Sequence, residues 1–243
     1  THSEGYVEDL LTKSGRKRYV KMVVPNLSVI AKYTIQRIWR FVMTLPNKLG
    51  ISDSTALAHE EERLTKKRAQ ELYDQHIIGT FAVGTYAGLQ EIHRYLFQDV
   101  YDFAGQTRTV NIAKGHFRFA PVLYLTEALA QIDRMPQDSF DAILDKYVEM
   151  NVAHPFREGN GRSMRIWLDA MLKHGLSCVV DWDNVDKDDY LLAMERSPIR
   201  STEIKVLLKN ALTQRIDDRS IYMKGIDASY RYEGYNAYKT EEI

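Results

Sequence analysis

Twelve consecutive residues, HPFREGNGRSMR (His154–Arg165), constrain this chain more than any other stretch. Apolar residues at helical spacing flank them, with Ile143, Leu144, Tyr147 and Val148 before and Ile166, Trp167, Leu168, Met171 and Leu172 after. The reading is helix, short loop, helix. Pro155 disfavours helical geometry at His154, so the first helix is expected to end there. Gly159 and Gly161 allow a tight turn and a close approach of backbone to ligand. The next helix is expected to begin near Asn160, a residue type favoured at helix N-termini. A glycine-flanked helix start offers free N–H groups and the positive end of the dipole, which together suit an anion.

The side chains fit the same chemistry. Arg162 and Arg165 are three apart and share a face near the helix start. With the helix N-terminus they make a cradle for a di- or triphosphate. Glu158 is a hard oxygen ligand for Mg²⁺, an ion that usually takes one or two carboxylates plus phosphates. His154, at the loop mouth, is suited to a general base. Taken singly, a histidine before proline is usually a loop residue, and two arginines on a helix are usually a solvated face. Nothing structural requires all of them in one loop.

The stretch resembles the Fic (filamentation induced by cAMP) signature, HPFx(D/E)GNGRxxR, and matches it at every fixed position. The resemblance runs from about residue 47 to 238 and includes GTYAGLQEIHRYLF (Gly84–Phe97), VYDFAGQTR (Val100–Arg108), NIAKGHFRFAP (Asn111–Pro121) and AMERSP (Ala193–Pro198). It implies an all-α fold of about eight helices with one β-hairpin flap. It also implies transfer of AMP from ATP to a hydroxyl of a target protein, with pyrophosphate leaving. On that resemblance His154 deprotonates the hydroxyl and Glu158 holds Mg²⁺ or another divalent cation. Asn160, with the backbone at Gly159 and Gly161, binds the α-phosphate region, and Arg162 and Arg165 hold the β- and γ-phosphates. Phe156 anchors the loop. A flap including Lys114, Gly115, His116 and Phe117 docks an extended target segment by main-chain pairing. From the residues alone, Lys114–Gly115 is a plausible hairpin tip, with Phe117 and Phe119 alternating along a strand.

A second signal lies near the C-terminus. Ser229–Gly234, SYRYEG, fits the Fic inhibitory motif, (S/T)xxxE(G/N), in a helix of about residues 220–238. Its placement is similar to that in small Fic proteins with a C-terminal inhibitory helix. There Glu233, with Ser229 and Gly234 completing the motif, is expected to take Arg165 as a bidentate pair in place of the γ-phosphate. The other reading of the segment is a tyrosine-rich helix packed on the core, and both can hold. Tyr230 is expected near the nucleotide, with its hydroxyl open to self-AMPylation once the helix unwinds. Two rival functions stay open: a hydrolase that removes AMP, alone or in a bifunctional enzyme, and a non-catalytic interaction module.

Composition is permissive. The 243 residues are 44% apolar and 27% charged, with 33 Lys/Arg balancing 33 Asp/Glu. That is a folded chain with no global pull toward nucleic acid or membrane. The lone Cys178, in an apolar run, has no internal disulfide partner, which fits a reducing cytoplasm and an inert thiol. Residues 1–42 hold eight Lys/Arg against three Asp/Glu. They are read as a basic extension of unknown role, and residues 43–243 as the Fic domain. Neither a spanning helix nor a signal peptide is expected in that extension. Residues 55–75 read as a helix whose charged run is a solvated face, and His93 as a core histidine behind the site. The resemblance implies a partner protein presenting a Ser, Thr or Tyr hydroxyl, and self-association is left open.

Overall fold

Side-chain caps mark where the chain turns helical. Asp53 accepts from the N–H of Ala56 at the head of α1 (Ser54–Asp74), and Thr85 accepts from Gly88 at α2 (Tyr86–Phe97). Helix α3 (Val122–Arg134) follows Pro121 and stops at Met135, before Pro136. Ser139 caps α4 (Phe140–Ala153). Helix α5 (Asn160–Leu176) starts from Gly159 with no side-chain cap. Asp186 caps α6 (Lys187–Arg196), which precedes α7 (Thr202–Asn210); Asp218 caps α8 (Arg219–Tyr232). Each such cap satisfies an otherwise orphaned helical N–H, for about 1 kcal/mol. These eight α-helices are those of the described residues. The computed structural model describes residues 44–114, 117–234 and 237–242. The proposed extension 1–42, the flap residues Gly115 and His116, and Tyr235 lie outside them.

Helix α5 is the centre. Every residue from Arg162 to Leu168 is buried, so no face of its first half meets solvent. A helix buried all round sits inside a bundle. Helices α4 and α2 pack on it, α1 packs on α2, and α8 lies against both α1 and α5. Trp167, Leu168, Leu172, Phe97, Leu89, Ile143 and Leu144 fill the space between them. Each such side chain contributes about 1.5–3 kcal/mol on leaving water. Cys178 is buried among apolar residues, and its thiol is pushed up by burial, as an inert thiol should be.

The all-α expectation holds, with one addition. The flap is present as β1 (Ala113–Lys114) antiparallel to β2 (Phe117–Arg118), with Lys114 opposite Phe117. A second antiparallel pair joins β3 (Val179–Val180) to β4 (Leu212–Thr213). Two-residue strands so far apart are too short to show alternation in sequence. Among the described residues, no helix is long and apolar enough to cross a membrane.

Two expectations about helices need correction. The charged run on α1 is not a solvated face: Glu61, Glu62, Thr65 and Lys66 are all buried. Lys66 pairs with Glu62 at 3.0 Å and with Asp227 of α8 at 2.8 Å. The run faces α8, so its charges meet partners instead of water. The C-terminal helix ends earlier than residue 238. It stops at Tyr232 with Glu233 as C-cap, and Gly234 takes φ +91°, a left-handed conformation suited to glycine.

Candidate active site

Helix α4 ends at His154, whose backbone is left-handed (φ 46°, ψ 64°). That conformation is uncommon for a non-glycine residue. It turns the chain out of the helix just before Pro155. The His154 ring stacks on Phe119, which follows the flap, with centroids 3.6 Å apart. Its Nδ1 lies 3.3 Å from the Asn151 carbonyl, so Nδ1–H is the donor. That leaves the lone pair on Nε2. Burial, with Lys114 and Arg108 nearby, pushes the imidazole down to about 3. It is therefore neutral near pH 7, as a base must be.

The loop that follows is fastened from within. Phe156 is fully buried and stacks on His93 at 3.8 Å. The Asn160 carboxamide accepts from the Phe156 N–H and donates to the Phe156 carbonyl, both at 2.8 Å. The carboxamide thus closes the loop, while Asn160 also lines the cavity described next. Gly159 is left-handed at φ +74°, and a Cβ there would meet the Phe97 ring at 2.3 Å. With Gly159 as N-cap, no capping side chain competes with an anion for the start of α5.

A cavity of about 800 Å³ opens over this helix start, lined among others by His154, Glu158, Gly161, Arg165, Tyr190 and Glu233. The volume suits a nucleotide-sized ligand. Lys114 and Phe117 of the flap also line it. Glu158 accepts from the Gly159 N–H at 2.9 Å and from Arg162 at 3.1 Å. Among the described residues, no group of three or more His, Cys, Asp or Glu is arranged to hold a metal ion. A divalent cation here would take one carboxylate, with phosphate and water as its other ligands, an arrangement that fits Mg²⁺.

The two arginines differ. Arg165 lines the cavity, whereas Arg162, only 1% exposed, lies behind it. Arg162 is held by three carboxylates: Glu61 of α1, Glu158 at 3.1 Å and Glu233 at 2.7 Å. Arg165 donates to the Ser229 hydroxyl at 2.6 Å and the Ser229 carbonyl at 2.9 Å, and its Nη2 is 3.6 Å from Glu233. Its guanidinium also stacks over Tyr232, 5.1 Å from the ring centre. The expected bidentate pair between Glu233 and Arg165 is thus replaced by one carboxylate spanning both arginines. Gly161 faces the same carboxylate, and a Cβ there would lie 2.8 Å from it.

Tyr230 is not among the residues that line the cavity. It is 1% exposed, and its hydroxyl bonds Thr65 of α1. Successive residues of a helix point 100° apart, so Ser229 and Glu233 face α5 while Tyr230 faces α1.

Sequence reading missed Glu61, hidden in the run EEER, and Arg108, whose guanidinium bonds the carbonyls of Val110, Ala120, Ala153 and His154. The signal for Glu61 was its place on one stripe with Leu57, Thr65, Ala69 and Leu72, all buried. Nothing in sequence marks a carbonyl as an acceptor for a distant arginine.

Comparison with known proteins agrees with this geometry. Residues 84–172 match the model of the Fic/DOC family. VbhT of Bartonella schoenbuchensis, named a protein adenylyltransferase, is 30% identical over 219 residues, which are 78% of this chain but 44% of VbhT; the chain spans under half its length. "Probable protein adenylyltransferase y4lH" of Sinorhizobium fredii is 30% identical over 165 residues, 63% of this chain and 82% of that protein. In fold the chain is similar to BepC of Bartonella tribocorum, solved with AMPPNP, at a TM-score of 0.57 and 21% identity, covering 70% of this chain and 93% of that one. With the signature loop, the flap and these relatives in agreement, the chain belongs to the Fic/DOC family.

Proposed function

We propose that this protein is an adenylyltransferase that moves AMP from ATP to a hydroxyl of a target protein and is restrained by its own C-terminal helix. The observation that carries the reading is the composition of the one cavity wall. A neutral His154 stands on it with its Nε2 lone pair free, the uncapped start of α5 lies beside it, and Arg165 is tied up by residues of α8 and its cap.

His154 accepts the proton of the target hydroxyl as the oxygen attacks the α-phosphate and the α–β phosphoanhydride bond breaks, releasing pyrophosphate. The helix N-terminus at Gly159–Gly161 stabilises negative charge growing on that phosphate. Glu158 would hold the divalent cation, which supplies charge neutralisation on the triphosphate when bound. Phe119 and the flap keep the imidazole oriented and offer a strand edge to the target.

The geometry around Glu233 supports the proposed restraint. Glu233 occupies the space beside Gly161 and Arg165 where terminal phosphates would lie. If α8 withdraws, Arg162 keeps Glu61 and Glu158, whereas Arg165 loses Ser229 and Glu233. Arg165 is therefore the arginine that becomes available to a γ-phosphate. Incubating Glu233→Gly and a lysate with α-labelled or γ-labelled ATP tests the reaction type. Label is expected on protein from the α-position alone; label from the γ-position would indicate phosphorylation instead.

A further inference from the structure

Both ends of the His154–Gly161 loop are gripped from outside by side chains that touch no reacting atom. Arg108 holds the front end. It is 4% exposed and donates to the His154 carbonyl at 2.7 Å and the Ala153 carbonyl at 3.0 Å. The same guanidinium bonds the carbonyls of Val110 and Ala120, which lie on the two arms leading into and out of the flap. Its backbone N–H also donates to the Pro155 carbonyl at 2.8 Å. One planar group thus joins both flap arms to the residue that carries the base.

His93 holds the back end. The Gly105 N–H donates to His93 Nδ1 at 2.8 Å. A backbone amide can only donate, so Nδ1 carries the lone pair and Nε2 the proton. That Nε2–H donates to the Glu158 carbonyl at 2.9 Å. The ring face meanwhile supports Phe156.

We infer that these are two positioning residues with separate duties: Arg108 sets His154 against the flap, and His93 sets Glu158 against the nucleotide-bound cation. The inference rests on the roles of His154 and Glu158 proposed above. An arginine suits the first duty because its rigid fork reaches several carbonyls at once, which a lysine ammonium does not. A neutral histidine of fixed tautomer suits the second because it accepts on one side and donates on the other.

The separation makes the test specific. In the Glu233→Gly background, binding of Mn²⁺ with ATP is followed by the enhancement of water proton relaxation over that of the same Mn²⁺–ATP solution without protein. Single-turnover transfer of labelled AMP to lysate protein is measured at saturating Mn²⁺ and ATP. His93→Phe keeps a ring on Phe156 and loses both hydrogen bonds. It should weaken Mn²⁺ binding about 10–100-fold, the usual cost of losing a partner behind a metal ligand. His93→Gln, which can accept and donate, should recover part of that loss. Arg108→Lys should leave Mn²⁺ binding within about threefold and slow transfer about 10²-fold, the cost of a misplacement of about 1 Å. Arg108→Gln serves if the lysine variant does not fold. Parallel movement of both quantities in both variants means general loosening of the fold and overturns the inference. A Glu233→Gly parent that binds no Mn²⁺ with ATP overturns the nucleotide reading itself, and the inference with it.

Discussion

The Glu233 carboxylate lies 2.7 Å from Nε of Arg162 and 3.6 Å from Nη2 of Arg165. One acid at the end of α8 therefore reaches two arginines one turn apart on α5. The shorter contact is to the arginine that already has Glu61 and Glu158 behind it. The longer is to the arginine that lines the cavity. On the proposed reading, Arg162 is the buried seat of the C-terminal helix, and Arg165 the group exchanged between that helix and a ligand.

The role proposed for His154 carries a specific pH expectation. His154 sits at about 3, lowered by burial with Lys114 and Arg108 adding to it, against the Asn151 carbonyl, which raises it. A base works unprotonated, and the depressed value keeps it so down to well below pH 5. Transfer by Glu233→Gly should therefore show no step near 6.5, the ordinary histidine value. A single-turnover rate profile from pH 8 to 5 checks it. His154→Ala should lose about 10²–10⁴-fold in transfer while still binding ATP.

Gly159 is strained ground for any other residue. Gly159→Ala asks alanine to hold φ +74° and places a methyl within 2.3 Å of the Phe97 ring. Left-handed backbone costs about 1–2 kcal/mol and overpacking about 1–3. The thermal midpoint should fall, and ATP affinity with it, by calorimetry on the same sample.

Much of this site was legible because its chemistry is consecutive. His154, Glu158, the two glycines and both arginines fall within twelve residues, between two apolar helical stretches. The parts that were not legible are those built by contact across the fold. Glu61 stands in a run of three glutamates, and spacing alone does not say which one turns toward an arginine 101 residues away. Asn160 reads as a phosphate ligand, and only the folded loop reveals that its carboxamide also fastens Phe156. Tyr230 was misplaced for a similar reason: the motif fixes Ser229 and Glu233 on one helix face, and its neighbour necessarily points elsewhere.

Glu61 supplies a stability prediction. It is 2% exposed and bonds both Arg162 and the Tyr101 hydroxyl. Glu61→Gln removes the charge that Arg162 relies on when α8 is away. Breaking a buried pair costs about 3–5 kcal/mol, and the remaining carboxylates should hold the loss near the lower figure. Denaturant unfolding measures it. The loss should be larger in Glu233→Gly, where one of the compensating carboxylates is gone.

Ser229 should share the restraint. Its hydroxyl and carbonyl both accept from Arg165. Ser229→Ala keeps the carbonyl contact and loses the other, a charged hydrogen bond of about 1.5–3 kcal/mol. Self-labelling or target labelling should rise, by less than in Glu233→Gly.

The central claim is that Glu233 and a triphosphate compete for Arg165. The most direct measurement is transfer of α-labelled AMP to protein, at saturating ATP and Mg²⁺, by the parent, Glu233→Gly and Glu233→Gly with Arg165→Ala. The account predicts weak labelling by the parent, labelling at least about tenfold stronger without the glutamate, as one charged contact implies, and loss of that gain when Arg165 is also removed. Equal labelling by the parent and Glu233→Gly, or a gain that survives the loss of Arg165, would contradict it.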